Sequence, residues 1–313
     1  MSLLSKMSLQ TGLWRLIPAL LLLASSAQGA EILVLYNEKS QSHQGLLAEL
    51  EKHPIFRSHR LTSTPDKQTA TQQMAQGNIS LLLSLGANNC SRDVLRLKPD
   101  VPHLCSLIPG LAYETQLRDN KSLANTSALF IDQPFDRLVR LAGLGLPNLK
   151  RAGIILSEET AALRNSFEQA CRRAGVAAHV EMVQDSSEVA DAVTRALEVS
   201  DVLITVPDRS VLNRNTARTF LLSAYLKRVP VIGYSRSYVR AGALLAPVSD
   251  IPRIATQLGD IIATAATHRW KLGPPVYPNQ LDIAINRDVE KSLGLKLGDE
   301  EILAAKLMDA ERR

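Results

Sequence analysis

The sequence predicts an α/β protein of two lobes, each built on a parallel sheet covered by helices, joined by a hinge. Three observations carry this expectation. From residue 31 onward, apolar runs of strand length alternate with segments of helical spacing, the pattern of parallel sheets buried on both faces. The alternation runs twice: "NISLLLSLGANNCSRDVLRLKPDVPHLCSLI" and "SDVLITVPDRSVLNRNTARTFLLSAYLKRVPVIGYS" both read apolar strand, polar loop, helix, Val-Pro, apolar strand. And 313 residues at 45% hydrophobic and 21% charged suit one large domain or two of ordinary size. The repeated plan makes the lobes Rossmann-like; a single long doubly wound sheet is the rival arrangement.

The first thirty residues stand apart from that core. Lys6 and Arg15 are their only charges, Leu16–Ala24 is a short apolar stretch, and small residues precede Glu31. These are the parts of a secretory signal peptide. The apolar run falls short of the roughly 20 residues that span a bilayer, so an uncleaved anchor is the weaker alternative. Cleavage is expected near Ala30, with an exported, periplasmic product. The leader holds two of the chain's 36 basic residues against 31 acidic ones, which leaves the mature chain at about +3. No Lys/Arg block suggests nucleic acid. Cys90, Cys105 and Cys171 are too few for a disulfide scaffold. Cys90 and Cys105 can pair across neighbouring loops, but two inert thiols are the expectation.

The first series reads as strand 31–36, helix 43–53, strand 78–86, a short helix from Cys90 and strand 101–108. The link near "SALFIDQPFDR" (127–137) crosses to the second lobe. There, strand 150–157 leads to helix 160–175, then a strand at "AAHVEMV" and a helix at "SSEVADAVTRALE" capped by Ser186 or Ser187. Strand 200–206, helix 215–228 and strand "VPVIGYS" close the series. The last strand opens "VPVIGYSRSYVRAGALLAP" (229–247), where two Tyr and two Arg stand between two core-like runs; it reads as a loop at a strand end. The tail "EEILAAKLMDAERR" (300–313) reads as a short charged helix with a solvated fate.

Open parallel sheets bind ligands beyond the carboxyl ends of their strands, and clefts between lobes are preferred pockets. The candidate ligand-binding residues are therefore those just after each strand. In lobe one they are Asn37, Glu38, Ala87, Asn88 and Leu107, followed by Ile108. In lobe two they are Ser157, Glu158, Asp208 beside Pro207, and Tyr234, Ser235 and Arg236. Arg209, Arg214 and Arg236 suit a carboxylate, which a guanidinium holds with two parallel bonds.

Catalytic signatures are missing. The sequence has no G-x-S-x-G elbow, H-E-x-x-H, Walker loop or G-x-G-x-x-G after a strand. "GLGLP" precedes a strand and reads as a helix stop. Six scattered His show no ligand spacing, so no metal or cofactor is expected. Asp208 with Glu158 is the one conceivable acid–base pair, against a capping role for Asp208.

The second half resembles a known family. "DQPFDRLVRLAGLGLPNLKRAGIILSEET", "SDVLITVPDRSVLNRNTARTFLLSAYLKRVPVIGYSRSYVRAGALLA" and "PPVYPNQLDIAINRDVEKSLGLKLGDEEI" are similar to segments of the ABC-transporter substrate-binding proteins with a type I periplasmic-binding fold. The likeness is good over residues 125–300 and only in outline over 31–124. It implies a monomeric, non-enzymatic periplasmic binder that closes on a small ligand, amino-acid-like or carboxylate-bearing, and delivers it to an ABC permease. Some relatives serve aromatic amino acids. A periplasmic sensor feeding a membrane kinase is the alternative, and a hydrolase the outsider. The resemblance also implies lobe one at 31–130, completed by a returning segment at about 248–300, lobe two at 131–247, and a tail at 301–313. The "FIDQP" crossing and the "SLGANNCSRD" loop depart from the family pattern, at positions where a ligand would sit.

Overall fold

The computed structural model describes residues 29–77, 79–117 and 125–311. The expected signal peptide lies outside the described residues, apart from its last two positions.

Two sheets organise the chain. The first contains β1 (Glu31–Leu35), β2 (Arg60–Thr64), β3 (Ile79–Leu85), β4 (His103–Ile108) and β5 (Thr126–Phe130), in the order β2-β1-β3-β4-β5 and parallel throughout. β4 is buried at every position and β3 at all but one, which is why these strands read as continuous apolar runs rather than alternating ones. Helices α1 (Gln41–Leu50), α2 (Lys67–Ala75), the single turn α3 (Arg92–Leu95) and α4 (Gly110–Leu117) provide the crossovers. Side chains cap the first two: Ser40 accepts from the His43 N–H and Asp66 from the Thr69 N–H.

The chain first crosses between the sheets at residues 131–134. The second sheet follows, with β6 (Arg151–Ser157), β7 (Ala177–Val183), β8 (Val202–Ile204), β9 (Val231–Ile232), β10 (Leu245–Val248) and β11 (Asp282–Ile285). Their order is β11-β10-β9-β8-β6-β7, and only the β10–β11 pair is antiparallel. Around it lie α5 (Phe135–Gly145), α6 (Arg164–Arg173), α7 (Val189–Val199), α8 (Ala217–Leu226) and the short α9 (Arg236–Ala241). α7 starts later than the sequence suggests. Asp185 takes both the N–H and the hydroxyl of Ser187, so neither expected serine caps the helix, and Glu188 holds that position without a side-chain bond. α9 replaces the loop expected at 234–241, because the Ser235 hydroxyl accepts from the Tyr238 N–H and starts a helical turn.

The end of the chain departs from the expected partition. After β10 the chain returns to the first sheet as α10 (Ile251–Thr267), whose Ile254, Leu258 and Ile262 pack with Leu46 and Leu50 of α1. Val276 then bridges the edge of β5, with its N–H bonded to the Ala128 carbonyl and its carbonyl accepting from Phe130. Residues 282–300 do not stay with lobe one. β11 pairs with β10, and α11 (Arg287–Leu293) and α12 (Glu300–Glu311) follow it onto lobe two. The reason is apolar: Ile283, Leu297, Leu303 and Leu307 complete the cluster formed by Leu138, Leu141, Ile154 and Phe167. The tail is therefore a core-forming helix over 300–311, with Leu303 and Leu307 buried, and not a solvated end.

Cys90 and Cys105 form a disulfide, which corrects the expectation of two inert thiols. The turn after β3 explains it. Gly86, in the left-handed region that glycine tolerates, lets the Cys90 N–H fold back onto the Gly86 carbonyl. That carries Cys90 over the adjacent strand β4, with its Cα 5.7 Å from that of Cys105. Cys171 is buried and unpaired.

Candidate functional site

A cavity of about 930 Å³ opens between the lobes beside the crossings. Lobe one lines it with the start of α4, from Pro109 and Leu111 to Glu114 and Gln116. The crossing supplies Ile131, Asp132 and Gln133, with Tyr277 from the returning chain. Lobe two supplies Phe135 and Asp136 of α5, Glu159 and Thr160 of the 3-10 turn at 158–163, α6 residues through Arg173, and the strand-end residues Thr205, Pro207, Tyr234 and Ser235.

Asp132 follows β5 and sits opposite the start of α4. Its Oδ1 accepts from the Gly110 N–H at 3.0 Å. Burial pushes its pKa up to about 6, against the pull of that bond, and Glu114 adds like-charge repulsion. Tyr277 packs edge-on to Phe130 with ring centroids 5.0 Å apart, and Phe130 meets Tyr113 at 5.6 Å. Burial raises the Tyr277 phenol to about 12, so it stays a neutral donor. On the far wall Tyr234 stacks on the buried Tyr238 at 5.1 Å. Asp136 and Arg173 form a two-pronged ion pair, with Nε and Nη2 at 2.7 and 2.6 Å from the carboxylate.

The strand-end reading placed Tyr234, Ser235 and Pro207 on the cavity wall, and the structure puts them there. Ser157 and Asp208 lie beneath that wall. Asp208, 4% exposed, accepts from the Ser157 N–H and hydroxyl, from the Thr160 hydroxyl at 2.6 Å, and from the N–H groups of Ser210 and Val211. Burial works to raise its pKa, but these bonds, led by Thr160, outweigh it and hold the carboxyl below the usual range. Asp208 is a brace that fixes the 3-10 turn, and its oxygens are spent on donors within its own lobe. Glu158 is exposed and does not line the cavity, so no acid–base pair is assembled.

Arg236 also points elsewhere. Its Nη2 lies 2.7 Å from Asp282, and the other oxygen of Asp282 accepts from Arg253 of α10. Arg209 and Arg214 do not line the cavity either. In lobe one the structure does not bring Asn37, Glu38, Ala87, Asn88 or Leu107 to the cavity. Asn37 and Glu38 organise the start of α1 through Lys39 and Gln44, and the Asn88 carbonyl accepts from Lys67. Leu107 is buried at φ +54°, at the irregularity where β4 shifts register against β5. The cavity sits at the β4–β5 side of the first sheet, away from the ends of β1 and β3. Sequence reasoning missed Asp132. The signal was present: Ile131 and Asp132 directly follow strand "SALF", and the rule applied to the other strands selects them.

Three crossings connect the lobes, at 131–134, between β10 and α10, and between Tyr277 and β11. They are tied together by one buried side chain. Arg137, 5% exposed, donates from Nη1 to the Pro278 carbonyl at 2.8 Å and to Gln133, and from Nε and Nη2 to both oxygens of Glu311 at 2.6 Å. Gln133 reaches Ser249 of the second crossing, whose hydroxyl donates to the Gln280 carbonyl of the third.

With this geometry established, the sequence profile described as ABC transporter substrate binding protein matches residues 125–306, more than half of the chain. The chain belongs to this family. No curated protein matches it in sequence. Solved structures share its fold. A ligand-free, open substrate-binding protein with adhesive properties from Clostridium difficile superposes with a TM-score of 0.66 at 16% identity, over 86% of this chain and 95% of that one. A domain from Streptococcus pneumonia in complex with L-Trp gives 0.58 at 17% identity, over 87% and 96%. A conserved domain protein from Vibrio cholerae gives 0.57 at 20% identity, over 88% and 97%. The type I periplasmic-binding architecture and a solute-binding role follow from the family and fold together. Among the described residues no helix is long and apolar enough to cross a membrane.

Proposed function

We propose that this family member is the exported solute receptor of an ABC importer, closing its two lobes on an amino-acid-sized ligand that it passes to a membrane permease. The carrying observation is the cavity between the lobes, placed against three crossings that can flex together as a hinge. Its volume falls within the range that encloses small ligands. The aromatic walls, Tyr277 on one side and Tyr234 on the other, suit an apolar or aromatic body, and a structural neighbour was solved with L-Trp. The Cys90–Cys105 disulfide fits an oxidising compartment such as the periplasm.

Mass spectrometry of small molecules released from the natively purified protein identifies the ligand directly. The released compound should raise the melting temperature of the emptied protein, since a ligand at about 100 times its dissociation constant adds roughly 2.7 kcal/mol. Tyr234→Ala should weaken binding at least tenfold, about 1.4 kcal/mol. Arg236→Ala should leave affinity within about twofold, because its guanidinium is held by Asp282. A panel of amino acids, amines and small carboxylates with no stabilising member would refute the solute-receptor reading.

A further inference from the structure

The charges around the cavity narrow the ligand class. Five charged side chains among the described residues line it: Glu114, Asp132, Asp136, Glu159 and Arg173. The one cation, Arg173, has its fork filled by Asp136, so that pair presents no net charge to a ligand. The arginines expected at the strand ends do not reach the wall, and Arg236 is committed to Asp282. What remains is acidic: Asp132 beside the hinge, Glu114 one helical turn from Gly110, and Glu159 on the opposite lobe. At the start of α4 the Gly110 N–H donates to Asp132, which sets a carboxylate beside that helix end.

Resting on the solute-receptor reading, we infer that the ligand is held through a cationic amine, with Asp132 as its acceptor at the hinge and Glu114 and Glu159 adding attraction from the two walls. A ligand whose anchoring group is a carboxylate has no matching side-chain cation here. Tyr277 and Tyr234 supply aromatic faces and phenolic hydroxyls on either side, and an aromatic face attracts a cation as well as an apolar body. Asp132 is half-buried, with the Gly110 N–H as its donor from another residue and, among the described residues, no cation against it. Burial raises its pKa by disfavouring the carboxylate, and a cation brought against it relieves that penalty.

The test uses one scaffold in three charge states: tryptamine, L-tryptophan and indole-3-propionate, with 2-phenylethylamine, L-phenylalanine and 3-phenylpropionate as a second set of probes. Calorimetry and thermal shift on the mature chain at pH 7.5 read the affinities. In whichever set binds, the amine should bind at least as tightly as the amino acid. The indole carboxylate should bind at least tenfold more weakly than tryptamine. Asp132→Asn should cut amine affinity at least tenfold, and Glu114→Gln, at an exposed position that does not threaten folding, about threefold. Tighter binding of the carboxylate than of the amine overturns the inference and leaves the receptor reading standing. So does unchanged amine affinity in both variants. No binding by any probe, combined with no compound released from the native protein, overturns the receptor reading and this inference with it.

Discussion

Glu311 is the sharpest place to test how the hinge is built. Its carboxylate takes two 2.6 Å bonds from Arg137, a guanidinium that is 5% exposed and whose remaining donors hold Pro278 and Gln133. Glu311→Ala leaves that buried cation with two unmet donors. Breaking a fully buried pair in this way costs about 3–5 kcal/mol. The Glu311 side chain is 24% exposed, so water reaches the vacated space and the cost falls toward the 1.5–3 kcal/mol of a charge-assisted bond. The expected loss is about 2 kcal/mol, or roughly 5 °C in melting temperature for a chain of this size. Urea unfolding followed by circular dichroism measures it. Arg137→Met, which also strands the Pro278 carbonyl, should lose about 2–4 kcal/mol. The double variant should lose less than the two single losses added, by more than about 1 kcal/mol. A chain ending at Ala310 keeps Leu303, Leu307 and Asp309 but lacks Glu311, and should match Glu311→Ala. If Glu311→Ala and the shortened chain both unfold within about 0.5 kcal/mol of the parent, the tail does not anchor the hinge and the reasoning fails.

Reducing the Cys90–Cys105 bond, or replacing both residues by Ser, should destabilise the protein by about 3 kcal/mol, since the bridge closes a loop with a separation of 15 residues; denaturation with and without reductant checks this. Asp208→Ala should lower stability by roughly 2–4 kcal/mol, because five donors lose their acceptor. The depressed pKa of Asp208 gives stability that is present above its unfolded value and disappears as pH falls through the folded one, so this contribution should vanish in acid titrations of the parent and be missing from the variant at all pH. Asp132 acts in the opposite sense. Its carboxyl, faced by Glu114 and Tyr277, rises from 3.8 to about 6, so its contribution is fully favourable below 3.8 and is lost as pH rises through 6. The empty protein should therefore gain up to roughly 2–3 kcal/mol between pH 7 and pH 4 relative to Asp132→Asn, while affinity for an amine falls over the same window.

The fold was legible because its signals are local. Buried strands such as 79–85 and 103–108 announce themselves as apolar runs, and helices by their spacing. The strand-end rule reached the cavity wall at Tyr234, Ser235 and Pro207. It failed at Asn37, Glu38, Ala87 and Asn88 because strand ends are symmetric in sequence, and only tertiary packing decides which of them faces the other lobe. Arg236 was misread for a related reason: its partner Asp282 lies 46 residues away. The tail carried a readable pair, Leu303 and Leu307 at i and i+4, but its high charge made it look solvated. The bond that ties it down spans 174 residues, beyond what spacing can show.

These long-range pairings also explain why the cavity keeps its acidic character. Four arginines near the crossings are matched, on a side of the hinge away from the ligand space or within the wall itself. Arg137 is matched by Glu311, Arg236 and Arg253 share Asp282, and Arg173 takes Asp136. Among the described residues, the cavity carboxylates Asp132, Glu114 and Glu159 form no ion pair, and Asp132 holds the Gly110 N–H as its donor from another residue. Pairing Arg236 with Asp282 removes the cation that would have recognised a carboxylate. Asp282, at the start of β11, takes Arg236 from α9 on one oxygen and Arg253 from α10 on the other, so one carboxylate both joins the second and third crossings and holds Arg236 off the cleft. A substitution that frees Arg236, Asp282→Asn, should therefore loosen the hinge and admit carboxylates together, and binding assays with indole-3-propionate on that variant separate this coupling from two unrelated effects.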